Sequence, residues 1–432
     1  MSLRQAGVSL IDCDHRTPAA AEDGYPYIAI PQLKDGHLDL RDARRISAAD
    51  YNEWTKKLKP RAHDVIVVRR CNSGDSALVP PNLACAIGQN LVVLRSEGDQ
   101  IAPEFLRWLV RGPEWWDEVA KFINVGAVFD SLRCRDIPNF ELTVPPLSEQ
   151  AAIADVLNAL DDRIALLRET NATLEAIAQA LFKSWFVDFD PVRAKQQGIA
   201  PAGMDEATAA LFPDSFQESA LGPVPKGWSV QTVGDAVECV GGATPDTKDP
   251  SYWSPEVHAW TTPKDLSGLP APVLLSTERR LSTKGLAKIG SGLLPVGTLL
   301  LSSRAPIGYL AVAQVPVAIN QGYIAMLPGS LLPPLYMLFW CRQNMEGIKA
   351  RANGSTFMEI SKKAFRPIPA LVPSSPAIEA FLAVASPLFA RLVSNEQQAK
   401  SLTTIRDSLL PRLISGQLRL PEVATEITDT TT

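Results

Sequence analysis

At 432 residues the chain has room for two to four domains, and 46% hydrophobic with 21% charged residues excludes a disordered polymer. Its net charge of −5 excludes a protein that coats nucleic acid by bulk attraction. That sum hides a distribution: −2 over residues 1–145 (18 basic, 20 acidic), −6 over 146–217 (5 and 11), +4 over 218–373 (14 and 10) and −1 over 374–432 (5 and 6).

Met1 to Thr17 carries charges throughout and does not read as a signal peptide. No run of eighteen apolar residues predicts a membrane span. The six cysteines show no short pairing, which predicts reduced thiols and a cytoplasmic setting. Further along, Val65-Ile-Val-Val-Arg-Arg70 and Ala86-Ile-Gly-Gln89 read as strands between glycine and proline punctuation. Pro145-Pro146 then closes a strand, and Ser148 is placed to cap a helix.

That helix carries a heptad. One set is Ile153, Leu160, Leu167, Leu174, Leu181; the other is Leu157, Ile164, Asn171, Ala178, Trp185. A lone amphipathic helix packs on its own domain, but five heptads predict a coiled-coil seam. After a linker, Leu299 to Arg304 and Ala318-Ile-Asn-Gln321 repeat the earlier strand signals. A second helix, from about Pro376 to Ile414, carries Phe381, Leu388, Asn395, Leu402, Leu409 and Ala385, Leu392, Ala399, Arg406, Leu413 in the same frame. Gly416 is a natural stop.

The chain therefore repeats itself. Gly126-Ala-Val-Phe129 matches Gly354-Ser-Thr-Phe357, and Val144-Pro145 matches Val372-Pro373 at the same offset. The predicted fold class is α+β: two similar mixed units separated by two long antiparallel helices, with a pseudo-twofold repeat. The expected divisions are 1–145, a helix over 146–190, a linker over 191–217, a second unit over 218–373, a helix over 374–416 and a disordered tail over 417–432. Pairing Asn171 with Asn395 sets Leu160 against Arg406, Leu174 against Leu392 and Trp185 against Phe381. About forty residues at ~1.5 Å each make a strut of roughly 60 Å, which suits a split DNA site.

Catalytic motifs are absent. There is no Gly-x4-Gly-Lys-[Ser/Thr] phosphate loop and no His-Glu-x2-His; Asp190-Pro-Val-Arg193 fails as an adenine-methyltransferase tetrapeptide at its second proline. None of the four histidines is spaced as a metal ligand with the cysteines, so no metal site is expected. What remains is a stock of base-reading side chains on predicted loops. In the first unit these are Arg69, Arg70, Asn72, Ser73, Gln89 and Asn90. In the second they are Thr244, Lys264, Ser303, Arg304, Asn320 and Gln321. Arg133 and Arg135, near the end of the first unit, are weaker candidates.

Val144-Pro-Pro-Leu-Ser-Glu-Gln150 leading into Ile153-Ala-Asp-Val-Leu157 resembles the domain-to-helix junction of specificity subunits from type I restriction–modification systems. Lys226-Gly-Trp228, Gly241-Gly-Ala-Thr-Pro245, Trp260 to Leu266 and Leu409-Leu-Pro-Arg-Leu413 continue the likeness. The second junction, Val372-Pro-Ser-Ser-Pro-Ala-Ile378, departs from it by lacking Glu-Gln. The resemblance implies a non-catalytic subunit that recognises a bipartite target in double-stranded DNA. It also implies two methyltransferase subunits on the helices and restriction subunits joining them. S-adenosylmethionine, ATP and Mg2+ would then sit on those partners. The competing reading is a coiled-coil scaffold with two interaction domains and no DNA reading; a self-contained nuclease or methyltransferase would need a motif the chain lacks.

Overall fold

The computed structural model describes residues 1–126, 129–354 and 358–420. The expected disorder of the tail beyond 420 lies outside the described residues, as do the inner residues of the Gly126–Phe129 match and Ser355 to Phe357. The chain divides into two units. Unit 1 is Met1–Arg163 together with the chain after Lys400, and unit 2 is Ile164–Lys400.

In unit 1, β1 (Val8–Asp12), β2 (Tyr25–Ile28), β3 (Arg44–Ile46), β4 (Val65–Val68), β5 (Ser76–Leu78), β6 (Ala86–Ile87) and β7 (Leu91–Ser96) make two sheets. The larger is antiparallel in the order β1-β7-β4-β5. The smaller runs β3-β2-β6, with Tyr27 beside Ala86 in parallel pairing. The large sheet is covered on both faces, which explains why β4 is an unbroken Val-Ile-Val-Val run. Val65 and Val67 join Val92 and Leu94 in one cluster with Phe105 and Trp108 of the helix Pro103–Leu109. Ile66 and Val68 point the other way, with Val93, Ile28 and Val79.

Unit 2 repeats the scheme. Its large sheet contains β12 (Leu299–Ser302) between its antiparallel partners β13 (Leu310–Ala313) and β15 (Tyr323–Met326). Cys239–Val240 (β8) and Val273–Leu274 (β10) complete that sheet at its edges. The small sheet runs β11 (Arg279–Leu281), β9 (His258–Thr261), β14 (Ala318–Ile319), again with one parallel pair. Each predicted strand ends before its arginines, so Arg69, Arg70, Ser303 and Arg304 stand at loop starts.

The first long helix spans Leu147–Phe186 and the second Ser375–Ile414. Ser148 is therefore within the first turn rather than capping it; the Pro146 carbonyl accepts from Glu149 and Gln150 instead. The helix stops at Phe186, because Phe189 adopts a left-handed φ of 58° before a short helix, Asp190–Gln196. The segment read as a linker is packed: Val192 and Phe212 are fully buried beside Trp185, Phe186 and Trp228.

Both units contain part of each helix, and in each the two segments run antiparallel. In unit 2, Asn395 Nδ2 donates to Asn171 Oδ1 at 2.9 Å, and the Trp185 and Phe381 rings lie 6.4 Å apart. Asn171 also donates to Glu396 Oε1 at 2.6 Å, so the buried polar layer is a trio and not a pair. In unit 1, Ile153 and Leu157 share a core with Leu409 and Leu413. Arg406 pairs with Asp161, one residue beyond the Leu160 that the seam register set opposite it. The second helix is apolar and long enough to cross a membrane by length and composition, yet it holds Asn395, Glu396 and Arg406 buried.

Candidate nucleic-acid interface

The turn after β4 is built from unusual backbone. Cys71 and Asn72 take left-handed φ of 58° and 65°, and Gly74 has φ 102°. At Gly74 a Cβ would come within 2.9 Å of the rings and methyls of Trp116 and Val119, so only glycine fits. Arg70 forms an isolated bridge with Ser131, just after the Gly126 loop. The result is a cleft of about 680 Å³ lined by Arg69, Arg70, Asn90, Arg133 and Arg135, with Asp12 and His15 at one side.

Unit 2 has the matching turn. Ala305 has φ 54° and Gly308 φ 117°. Arg304 bridges to Glu359 by backbone, and its guanidinium lies 3.6 Å from the Glu359 carboxylate. A cleft of about 600 Å³ is lined by Arg304, Pro306, Ile307, Lys349, Met358 and Glu359.

The predicted side chains do not all face these clefts. Arg70, Asn72 and Gln89 are exposed, and Asn90 is half-buried with φ 65°. Gln89 Nε2 donates to Thr17 at 3.0 Å. Arg69 is only 19% exposed and lies 4.0 Å from Asp12, with its Nε buried and unpartnered. Ser73 and Ser303, expected to read bases, cannot reach them. Both are buried; Ser73 Oγ donates to the Arg69 carbonyl, and Ser303 is held through its backbone to Gly322 and Ile360. In unit 2, Thr244 donates to Gln321 Oε1 at 2.6 Å, which ties two predicted readers together. Asn320 Oδ1 is spent on the Gly322 amide, closing its own turn. Lys264 is exposed and paired with Glu278 at 2.8 Å.

Arg133 and Arg135, the weaker candidates, line the same cleft as Arg69 and Arg70. Only the fold brings them there: Leu132 N donates to the Arg69 carbonyl and Arg70 bridges to Ser131, joining segments far apart in sequence. The structure also groups Asp12, Cys13 and His15, whose donor atoms lie within 4.8 Å of one another despite the unpromising spacing. His15 turns Nδ1 to Cys13 Sγ at 3.9 Å and Nε2 to Asp12 at 3.0 Å. Different ring nitrogens thus face the two partners, so no one nitrogen serves a shared ion. Burial and the Asp12 charge push the Cys13 thiol up, keeping it protonated.

Two doubly sheeted units, each carrying an arginine-bearing turn, define a repeated recognition protein on a helical frame. The model of the type I restriction modification DNA specificity domain matches residues 16–176 and again 225–400. The chain belongs to this family, the non-catalytic specificity subunits of type I restriction–modification systems. It is 26% identical over 376 residues to the type I restriction enzyme HindI specificity subunit of Haemophilus influenzae, covering 77% of this chain and 81% of that protein. It is 34% identical over 189 residues to the MjaIX specificity subunit of Methanocaldococcus jannaschii, 43% of each chain. A crystal structure of the S subunit from M. genitalium shares the fold, with TM-score 0.54, 16% identity and 96% and 95% of the two chains covered.

Proposed function

We propose that the chain selects a bipartite sequence in duplex DNA, each unit reading one half, and positions the methyltransferase and restriction subunits of a cytoplasmic complex. S-adenosylmethionine, ATP and Mg2+ belong to those partners. The observation that carries this reading is the repeated turn: Arg70 and Arg304 follow equivalent strands and bridge to equivalent segments in a chain whose family is one of DNA specificity. Exposed Leu166 and Ile177, about three turns apart on one face of the first helix, support helix docking by a partner.

Mapping adenine methylation in cells carrying the complete system gives the target. A mobility shift with the methyltransferase subunits bound then shows salt-sensitive preference for that target. Exchanging one unit for that of a relative changes one half of the target only; a change in both halves, or in neither, overturns the modular reading. A complex with no sequence preference returns the molecule to the scaffold reading.

A further inference from the structure

The sequence between Glu278 and Glu346 contains no aspartate or glutamate but six cations, Arg279, Arg280, Lys284, Lys288, Arg304 and Arg342. Four of them cluster at the small sheet of unit 2. The segment Arg279-Arg-Leu-Ser282 runs through β11, and Ser282 caps the following turn by accepting from Gly285 N at 3.0 Å. Against this turn lies Tyr252. Ser282 N donates to the Tyr252 carbonyl at 2.9 Å and Ser282 Oγ to Ser251 O at 2.7 Å. A Cβ on Gly285 would meet the Tyr252 carbonyl at 2.1 Å, so the two segments are in close contact and fixed.

On that platform Lys284 and Lys288 place their ammonium groups 5.1 and 5.7 Å from the Tyr252 ring. Lys284 is 61% exposed; it donates to Ser251 Oγ at 2.6 Å and lies 4.0 Å from the Asp249 carboxylate. Arg279 is stacked 3.5 Å over Trp253, which meets Trp260 edge-on. Arg280, by contrast, is spent on the carbonyls of Glu256 and Val257. A continuous chain of contacts joins this group to the reading loops. Trp260 Nε1 donates to the Ala243 carbonyl, Thr244 binds Gln321, and Ser303 N, beside Arg304, binds the Gly322 carbonyl.

Unit 1 has the same scaffold without the two lysines. Arg44-Arg-Ile-Ser47 repeats Arg279-Arg-Leu-Ser282, with Ser47 accepting from Asp50 N. In that alignment Lys284 becomes Ala49 and Lys288 becomes Glu53. Arg44, the counterpart of Arg279, donates to the Pro18 carbonyl.

We propose that Lys284, Lys288 and Arg279 hold the sugar–phosphate backbone beside the bases reached from Gln321 and Arg304. Unit 2 thus grips DNA without regard to sequence, through a surface that unit 1 lacks. Exposed cations held in place on a capped turn suit phosphate contact, which needs charge and position and carries no base information. This rests on the DNA-reading role proposed above.

The test uses the assembled complex with its methyltransferase subunits, the mapped target duplex and a scrambled duplex, across a salt series. For K284A/K288A the slope of log affinity against log salt falls by about 1.8, since each lost phosphate contact removes ~0.9. Affinity drops by the same factor on both duplexes, and K284R/K288R restores the slope. An unchanged slope, or a loss confined to the target duplex, overturns the proposal while leaving sequence recognition in place. If wild-type complex does not distinguish the duplexes, both readings fall together.

Discussion

The two units solve one packing problem with opposite chemistry. Each must fix the helix segments it contains against its own sheet. Unit 1 adds a buried ion cluster to the apolar core that Ile153, Leu157, Leu409 and Leu413 share. Asp161, 1% exposed, is surrounded by Arg107, Arg406, His37 at 2.7 Å and Arg111 at 3.9 Å. Unit 2 uses rings: Phe381 is fully buried among Phe182, Trp185, Phe186, Tyr336 and Phe339. The offset that aligns the repeats places Asp161 on Phe389 and Arg406 on Ala178; aligning Pro103 with Pro334 places Arg107 on Leu338. Ion for apolar group is thus exchanged position by position. The same holds at the junction motif. Gln150 is buried, accepts from Ala102 N at 2.7 Å and donates to the Gln100 and Pro145 carbonyls. Its counterpart, Ile378, lies in the apolar cluster of unit 2. The missing Glu-Gln of the second junction follows from that switch.

The contrast can be broken from either side. Asp161→Ala removes the carboxylate shared by the buried Arg107 and Arg406 and is expected to cost about 3–5 kcal/mol in chemical unfolding. Adding Arg107→Leu and Arg406→Ala, the residues of unit 2, returns most of that loss; no recovery would show that the ions do more than pack. Phe381→Ala, which leaves a cavity, is expected to cost about 3–5 kcal/mol, read as earlier thermal unfolding of unit 2.

Acid sharpens the difference. Burial alone would raise the Asp161 carboxyl, but the His37 hydrogen bond and the charges of Arg107 and Arg111 outweigh it and hold it well below the usual carboxylate range. A depressed acid stabilises above its unfolded value, near 4, and loses that contribution as pH falls further. Unit 1 is therefore expected to melt before unit 2 below about pH 4. Simultaneous melting would deny the asymmetry. Smaller still, Gln150→Leu leaves one amide and two carbonyls unsatisfied, for about 1–3 kcal/mol.

Much of this was readable in the sequence, and the reason is periodicity. The seam from Ile153 to Trp185 and the Asn171–Asn395 match are set by spacing, which survives without coordinates. Asp161 was invisible because it sits one residue off the seam, and apart from Arg406 its partners, Arg107, Arg111 and the strand residue His37, come from far away in sequence. The clefts were half visible. Strand ends exposed Arg70 and Arg304, but Arg133 and Arg135 arrive through tertiary folding. Ser73 and Ser303 look like readers in one dimension and are buried in three. The Arg-Arg-Leu-Ser repeat was present as letters, but four residues carry little weight until both copies prove to be a strand leading into a capped turn.

The division at residues 163 and 400 has a consequence for biosynthesis. Leu157, Trp108 and Phe105 share their core with Leu409, Leu413 and Ile414. The first unit to leave the ribosome thus waits for the last helical turns before its apolar wall is covered. During that interval unit 2 can close by itself, while the earlier half stays sticky and open to chaperones or premature association. Released chains truncated after Lys400 should carry a protease-sensitive amino-terminal half beside a resistant central one.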